Sequence, residues 1–292
     1  MTEHATDDRV VVLTGGTSGI GRVAARNLAA GGATVAVVGR DRERGADVAD
    51  ADAGDTSGEV WFHRADLATK SAVRDLAAEL RDAYDRIDAL VHNAGLSVDA
   101  RTETADGIEL TLAVNHLAPY LLTHELFDML AASAPARVVV TASDVHRRAT
   151  LALDDLQLTR EYDALAAYAR SKLATIAFTL ELADRIPDDA GVTANCVHPG
   201  FVPSTGLFRD APLRTRLAVR VAGLIPGVGT TVEDAAGRVC RLVTDERFGE
   251  TTGAYVVDGE PASPASEAAD PGIRARLWTA SADLVGVDPD WP

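Results

Sequence analysis

The chain has 292 residues, with 28 basic against 44 acidic side chains, a formal net charge of −16, and 47% hydrophobic residues. This composition excludes a disordered or fibrous protein and is typical of a soluble globular one. The acidic balance argues against nonspecific binding of nucleic acid or of an anionic membrane, because such binding needs clustered lysine and arginine.

Short apolar runs alternate with longer segments of helical periodicity from the start of the chain. The predicted strands are residues 10–14, 34–39, 60–64, 89–92, 138–142 and 193–197. The predicted helices are residues 22–30, 70–84, 117–132, 166–185 and 273–285. Strands that read as continuous apolar runs are buried on both faces, which requires a parallel sheet between two helix layers. The sequence therefore predicts an α/β fold, a single-domain Rossmann-type doubly wound parallel sheet with helices on both faces. The length fits one large domain, since single cores stop growing at about 250 to 300 residues.

Two segments lack clear periodicity. Residues 201–231 contain three prolines, and we expect an irregular excursion there, with a short helix near residues 213–223. Long excursions inside compact domains are usually functional lids. Residues 259–272 combine Pro, Ser and Ala, and we expect a surface connection before the last helix.

The sequence favours a cytoplasmic protein. The acidic first ten residues lack the basic start and apolar core of a secretory signal. The longest stretch without charged residues, 190–208, is interrupted by Pro and Gly, so we expect no membrane span. Cys196 and Cys240 make neither a disulfide framework nor a metal-binding spacing.

A glycine-rich turn, TGGTSGIG, follows the first predicted strand and precedes the first predicted helix at Thr14–Gly21. Glycines 15, 19 and 21 allow a sharp turn that brings backbone amides and a helix N-terminus close to a pyrophosphate. This context predicts a dinucleotide site. The alternative is a glycine-rich turn without a ligand.

The end of the second strand bears on which dinucleotide binds. Arg40 and Asp41 lie about 20 residues after the glycines, where a carboxylate would hold the ribose hydroxyls of NAD and a guanidinium the 2′-phosphate of NADP. Arg40 comes first, and Arg22, Arg42 and Arg44 add positive charge, which favours NADP over NAD. The alternative for Arg42 and Arg44 is a solvated helix start.

Tyr168 and Lys172, in YARSK, are four residues apart in a predicted helix. This spacing puts both side chains on one helix face, where an ammonium can stabilise a phenolate. A free tyrosine has a pKa of about 10, so we expect the lysine to lower it toward neutral pH. The alternative is a core tyrosine with a surface lysine.

These motifs, with HNAG at His92–Gly95, Asn115 in VNHLAPYLLT and Ser143 in VVVTAS, occur in the order typical of one family. The chain resembles the short-chain dehydrogenases/reductases, and within them the retinol-dehydrogenase-like branch. The resemblance covers nearly the whole chain. It implies one NAD(P)-binding domain, with a cofactor half at about residues 9–135, a catalytic and substrate half at about 136–292, and a lid at about 201–231.

The resemblance implies a catalytic tetrad of Asn115, Ser143, Tyr168 and Lys172. Tyr168 would exchange a proton with the substrate oxygen while hydride passes between the nicotinamide and the adjacent carbon. Ser143 would hydrogen bond that oxygen. Lys172 would lower the pKa of Tyr168 and bind the nicotinamide ribose, and Asn115 would disturb its helix locally to hold a water. Taken singly, Ser143 also reads as a strand-end hydroxyl and Asn115 as a helix-capping amide.

The resemblance also implies a set of cofactor contacts. Besides Arg40, Tyr168 and Lys172, these are Gly15, Thr17, Ser18, Gly19, Ile20 and Gly21 at the turn, Asp66 and Leu67 near adenine, Asn93, Ala94 and Gly95 behind the adenosine ribose, and Pro199, Gly200 and Val202 beside the nicotinamide. Ser204 or Thr205 would supply a further hydroxyl, and Ser204 fits the spacing better. We interpret His92, His146 and His198 as structural, because no carboxylate–His–nucleophile pattern accompanies them. No metal-ligand spacing occurs in the sequence.

The predicted function is an NADP-dependent alcohol dehydrogenase or carbonyl reductase. The alternatives are a catalytically silent NAD(P)-binding sensor or scaffold, whose usual mark would be loss of the Tyr or Lys, and a nucleotide-sugar epimerase or dehydratase, which usually has a differently spaced glycine motif. The substrate is expected to be a small to medium apolar molecule, because residues 201–231 carry many apolar side chains. An equal alternative is that those side chains simply pack the lid. Relatives often pair through the helices carrying Asn115 and Tyr168, so a homodimer or homotetramer stays open.

Overall fold

The computed structural model describes residues 9–50, 57–203 and 229–292. Its strands are β1 (Val10–Thr14), β2 (Thr34–Gly39), β3 (Glu59–Arg64), β4 (Ala89–His92), β5 (Ala136–Thr141), β6 (Val192–His198), β7 (Tyr255–Val257) and β8 (Glu260–Ala262). They form one sheet in the order β3-β2-β1-β4-β5-β6-β7-β8. Neighbouring strands from β3 to β7 are parallel, and β8 is antiparallel to β7. The predicted doubly wound parallel sheet is therefore confirmed.

Helices connect the strands. They are α1 (Gly19–Ala30), α2 (Arg42–Asp50), α3 (Lys70–Ala83), α4 (Leu110–Leu112), α5 (Ala118–Ala132), α6 (Ala164–Arg185), α7 (Val232–Thr244), α8 (Arg247–Glu250), α9 (Ser266–Ala269) and α10 (Pro271–Val285). A π-helical turn, Ala113–Leu117, joins α4 to α5. None of the helices in the described ranges is long and apolar enough to cross a membrane.

Alternate residues of the central strands enter two separate cores, as expected for strands buried on both faces. Val12 and Leu90 lie in the core shared with α3, α5, α6 and α10. Val11 and Val91 lie in the core shared with α1 and α7. The sheet is thus covered by helices on both sides.

The order of the strands reverses at β1. The chain runs outward from β1 through β2 to β3, and then resumes on the other side of β1 with β4, β5 and β6. Such a reversal leaves a crevice beyond the carboxyl ends of β1 and β4, where open α/β sheets bind their ligands.

The second half contains elements that the sequence did not predict. The connection at residues 259–272 contains the short strand β8 and the short helix α9, because its backbone pairs with β7 and packs on α6. The helix α7 and the strand β7 were not predicted at all. The helix expected near residues 213–223 falls outside the described residues.

Candidate active site

A cavity of about 990 Å³ opens at the carboxyl ends of the strands. Seventeen of the residues expected at the site lie along its wall: Gly15, Thr17, Ser18, Gly19, Ile20, Arg40, Asp66, Leu67, Asn93, Ala94, Gly95, Ser143, Tyr168, Lys172, Pro199, Gly200 and Val202. Gly21 and Asn115 are the two described exceptions, and both lie just behind the wall. Ser204 and Thr205 fall outside the described residues.

The glycine turn is shaped by close backbone approaches. Gly15 has φ +70°, and a Cβ there would lie 2.7 Å from the Cα of Ala94. A Cβ on Gly21 would lie 2.3 Å from the carbonyl oxygen of Gly15. Side chains are therefore excluded at both positions, which explains why Gly21 supports the turn without lining the cavity. The N-terminal residues of α1 line the cavity, so their unbonded amides can bind an anion such as a pyrophosphate.

The ends of β1 and β4 are joined by a network of hydrogen bonds. Thr14 Oγ1 accepts from the backbone amides of Asn93 (3.1 Å) and Ala94 (3.2 Å) and donates to the carbonyl of Val91 (3.3 Å). Asn93 Nδ2 donates to the carbonyls of Thr14 and Gly15, at 3.3 Å each. This network fixes the floor of the crevice beneath the dinucleotide site.

Arg40 and Asp41 differ in what their side chains already bind. Asp41 Oδ1 accepts from the backbone amides of Glu43 (3.1 Å) and Arg44 (3.2 Å), and its other oxygen pairs with the Arg44 guanidinium at 3.2 Å. The carboxylate thus caps α2. The Arg40 guanidinium is exposed at the cavity wall, and no described residue binds it.

Tyr168 and Lys172 lie on the same face of α6, as their spacing predicts. The Lys172 Nζ is 5.9 Å from the centre of the Tyr168 ring and donates to the carbonyl of Thr141 at 2.7 Å. Both side chains are buried, at 8% and 4% exposure. The pair therefore occupies one water-poor wall of the cavity.

The expected direction of the tyrosine's pKa shift is wrong for this structure. Burial raises the pKa of Tyr168 to about 12, and the nearby Ser143 hydroxyl opposes that rise. Burial also lowers the pKa of Lys172 to about 8, with the nearby Cys196 thiol acting in the other direction. Loss of water is the largest cause of both shifts, because desolvation penalises the charged form of each group.

Asn115 lies in the π-helical turn, so the expected local disturbance of its helix is present. Its Nδ2 donates to the Leu96 carbonyl (2.9 Å) and to Ser171 Oγ (2.9 Å), and its Oδ1 accepts from the Leu96 amide (2.8 Å). A Cβ on Gly95 would lie 3.5 Å from Asn115 Oδ1 and 3.7 Å from Lys172 Nζ. The amide and the ammonium therefore converge beneath Gly95, at the inner end of the cavity.

The segment after β6 forms the opposite wall. Arg238 of α7 donates to the carbonyl of Pro199 at 3.1 Å, and the Thr230 amide donates to the carbonyl of Phe201 at 2.7 Å. Gly200 has φ +97°, and a Cβ there would lie 2.0 Å from Thr230 Oγ1. These contacts hold Pro199, Gly200 and Val202 against the cavity.

The three histidines that we interpreted as structural differ in position. His92 Nε2 lies 2.8 Å from Thr123 Oγ1 in the core. His198 lines the cavity, and its Nδ1 accepts from the Asp144 amide at 3.3 Å. His146 Nδ1 lies 2.7 Å from the carbonyl oxygen of Ser143, a contact with the expected tetrad that the sequence did not indicate.

Sequence reasoning also missed a group of residues beside Ser143 and Tyr168. These cavity-lining residues are Leu96, Ser97, Val114, Val145, Arg148, Leu165 and Phe201. Leu165 and Phe201 are 48% and 40% exposed, unusually high for large apolar side chains. Leu165 is close in sequence to Tyr168, and Phe201 is close to Pro199. This closeness was the feature of the sequence that could have identified them.

A doubly wound sheet with a glycine turn at its switch point, and a buried Tyr–Lys pair facing the same cavity, together define a class of proteins. That class is the nicotinamide-dependent oxidoreductases of the Rossmann type.

The family model described as short chain dehydrogenase matches residues 9–214. The chain is 35% identical over 288 residues to human retinol dehydrogenase 13, covering 96% of this chain and 85% of that protein. It is 39% identical over 282 residues to DnrU of Streptomyces sp. (strain C5), a candidate daunorubicin C-13 ketoreductase, covering 95% and 93%. The chain therefore belongs to the short-chain dehydrogenases/reductases, in the retinol-dehydrogenase-like branch.

A solved structure supports the same assignment. The crystal structure of a candidate short chain dehydrogenase from Escherichia coli CFT073, in complex with NADPH, superposes with a TM-score of 0.69 at 27% identity. The match covers 88% of this chain and 99% of that one. The protein is accordingly an oxidoreductase that uses a nicotinamide cofactor and a small-molecule substrate.

Proposed function

We propose that the protein is an NADP-dependent oxidoreductase that transfers hydride between the nicotinamide and a carbonyl or alcohol carbon, with Tyr168 as the acid/base. One observation carries this proposal. The Ser143 and Tyr168 side chains both line the wall of the cavity that also holds the glycine turn, and the Ser143 hydroxyl is near enough to lower the pKa of Tyr168. A substrate oxygen bound there could contact both hydroxyls, in the same cavity as the residues that would hold the nicotinamide.

The nicotinamide supplies or accepts the hydride when it is bound, and the chain's own groups manage the proton. Tyr168, with a pKa of about 12, is protonated at neutral pH and can therefore donate to an oxygen that becomes an alkoxide. Ser143 would donate a hydrogen bond to the same oxygen. Lys172, with a pKa of about 8, is mostly an ammonium at pH 7 and would stabilise the phenolate that remains. These protonation states favour carbonyl reduction.

The side chains at the end of β2 support NADP. Asp41, which would bind the ribose of NAD, is occupied with capping α2 and with Arg44. The Arg40 guanidinium lies at the cavity wall with no partner among the described residues, and a guanidinium suits a 2′-phosphate. The Escherichia coli structure in complex with NADPH agrees with this preference.

The substrate side of the cavity supports a small to medium apolar substrate. Leu96, Val145, Leu165 and Phe201 line it, and two of these are exposed at its rim. Exposed apolar side chains grouped at a cavity mouth are typical of ligand sites. Two relatives are named for an alcohol and for a ketone reduction, which agrees with exchange between those oxidation levels.

The test is a turnover screen of apolar aldehydes, ketones and alcohols with NADPH and NADH, on the native protein and on Tyr168→Phe. We expect kcat to fall about 10²- to 10⁴-fold in the variant, because the proton donor is lost, while the Kd for NADPH stays unchanged. Tyr162→Phe is the matched control, since its hydroxyl donates to the carbonyl of Val98 at 3.0 Å, outside the cavity wall. Undiminished activity of Tyr168→Phe would remove it as the acid, and NADPH binding without turnover of any substrate would favour a sensor.

A further inference from the structure

His146 is fully buried, and two hydrogen bonds fix the position of its proton. Its Nδ1 lies 2.7 Å from the carbonyl oxygen of Ser143, and its Nε2 lies 3.0 Å from the backbone nitrogen of Ala265. A carbonyl can only accept and a backbone amide can only donate. The imidazole must therefore carry its hydrogen on Nδ1 and a lone pair on Nε2, which makes it neutral. Burial lowers the pKa of His146, which also favours the neutral ring.

On its C-terminal side, the Ser143 carbonyl is held by His146. The His146 backbone amide also donates to that carbonyl, at 3.2 Å, so ring and backbone bind the same oxygen. Upstream, the Ala142 amide donates to the carbonyl of Val197 at 2.8 Å and keeps the chain on β6. Ser143 is thus fixed from both directions in an extended conformation, with φ −157° and ψ 144°.

This backbone geometry decides where the Ser143 hydroxyl points. Its Oγ accepts from the Val145 amide at 3.4 Å, which leaves its own hydrogen free to donate into the cavity that Tyr168 also lines. A rotation of the Ser143 peptide would change both contacts together. The ring of His146 opposes such a rotation, because it would have to break a buried hydrogen bond.

The other end of the imidazole reaches a distant part of the chain. Ala265 belongs to the C-terminal segment 263–267, which contacts the loop after Ser143 at two further points. Arg147 donates to the carbonyl of Ser263 at 2.7 Å, and the Leu151 amide donates to Glu267 at 2.6 Å. Of these three links, the one through His146 is bonded directly to Ser143.

We propose that His146 is a positioning residue: its neutral imidazole, kept in the Nδ1–H form by the Ala265 amide on Nε2, holds the Ser143 carbonyl and thereby sets the position of the Ser143 hydroxyl. The inference rests on the proposed function of Ser143 and Tyr168. It assigns a role in turnover to a histidine that does not line the cavity.

Two substitutions test separately the hydrogen bonds that His146 makes through Nδ1 and through Nε2. The side-chain amide of His146→Asn can take the place of Nδ1 and keep the bond to Ser143, whereas the amide oxygen of His146→Gln can take the place of Nε2 and keep only the bond to Ala265. We expect His146→Asn to keep kcat within about threefold and His146→Gln to lose at least about tenfold, because small misplacements of catalytic groups are costly. Values of KM and of the Kd for NADPH should not change.

Arg147→Ala is the matched control, since it removes a link to the same segment without touching Ser143. We expect it to keep the native kcat. Equal losses of kcat in all three variants, or losses that appear in KM and in the Kd for NADPH, would overturn the inference and leave His146 with a general structural role.

A double-mutant cycle with Ser143→Ala tests whether His146 acts through Ser143. In that background His146→Gln should lower kcat by less than about twofold, because no hydroxyl remains to be positioned. A loss as large as in the native background would overturn the inference. If Ser143→Ala by itself kept the native kcat, the proposed function of Ser143 would fail, and this result is distinguishable from failure of the role of His146.

Discussion

Arg40 and Asp41 favour different cofactors, and they differ in the partners that each side chain already has. The sequence placed both Arg40 and Asp41 at the end of β2, and it could not choose between them from residue type alone. The structure adds that both line the cavity, but that Asp41 caps α2 and pairs with Arg44, whereas no described residue binds the Arg40 guanidinium. In the same way, the spacing of Tyr168 and Lys172 predicted their shared face but not the rise in the tyrosine's pKa, because the depth of burial depends on the surrounding fold.

Replacement of Arg40 by alanine should weaken NADPH binding selectively. A hydrogen-bonded pair of charged groups is worth about 1.5 to 3 kcal/mol, so the Kd for NADPH should rise about 10- to 100-fold. The Kd for NADH should change little, since it lacks the 2′-phosphate. Fluorescence titration of both cofactors measures the two constants.

Arg42 provides the control for this substitution. It lies two residues further along, it is exposed, and it does not line the cavity. Arg42→Ala should leave both constants near their native values. An equal rise for NADPH and NADH in Arg40→Ala would remove Arg40 from the phosphate site.

Among the strands and helices, the sequence predicted those that are marked by a continuous apolar run or by a long periodic segment. All six predicted strands are present with ends within two residues, but β7 and β8 have three residues each, too few to show a pattern. The helix α7 is a different case. Its buried residues, Ala235, Ala236, Val239, Leu242 and Val243, follow helical spacing after a Thr231 cap, so its signal was present and overlooked. Nothing in the sequence indicated that the chain end packs into the core.

The end of the chain supplies an aromatic side chain that should matter for stability. Trp291 is 8% exposed. The centre of its ring lies 4.6 Å from that of the Trp278 ring and 5.1 Å from that of the Tyr120 ring. Its Nε1 donates to the Tyr120 hydroxyl at 2.9 Å. Trp291→Ala should lower the free energy of unfolding by about 3 to 5 kcal/mol, because it leaves a cavity in this cluster. Urea denaturation measures the change.

Trp61 is the matched control, since it is 56% exposed on the edge strand β3. Trp61→Ala should change the free energy of unfolding by no more than about 0.5 kcal/mol. A loss below about 1 kcal/mol in Trp291→Ala would mean that the tail does not stabilise the folded chain.

Two sets of titrating side chains change the stability of the whole molecule in opposite directions as the pH falls. Its net charge of −16 means that protonation of carboxylates relieves self-repulsion as the pH falls. Buried neutral histidines act the other way. Burial lowers the pKa of His92 and of His116 from 6.5 to about 3, because an imidazolium in either place would lose its water.

The pH dependence of stability should therefore contain a large contribution from these two rings. As the pH falls below 6.5, each ring is protonated in the unfolded chain but stays neutral in the folded one, so the unfolded state binds more protons and stability is lost. The loss proceeds down to about pH 3, where the folded rings are also protonated. At pH 5 each histidine should cost about 2 kcal/mol relative to pH 7.5, at 1.36 kcal/mol per pH unit.

Urea denaturation of His92→Gln at both pH values isolates one ring from the carboxylates. Glutamine does not titrate, and its amide can donate to Thr123 in place of the imidazole Nε2. The substitution has its own cost at pH 7.5, but between pH 7.5 and pH 5 the variant should lose about 2 kcal/mol less than the native protein, and a variant that also carries His116→Gln about 4 kcal/mol less. An unchanged pH dependence in both variants would mean that the carboxylates, and not the buried imidazoles, set the acid limit of this fold.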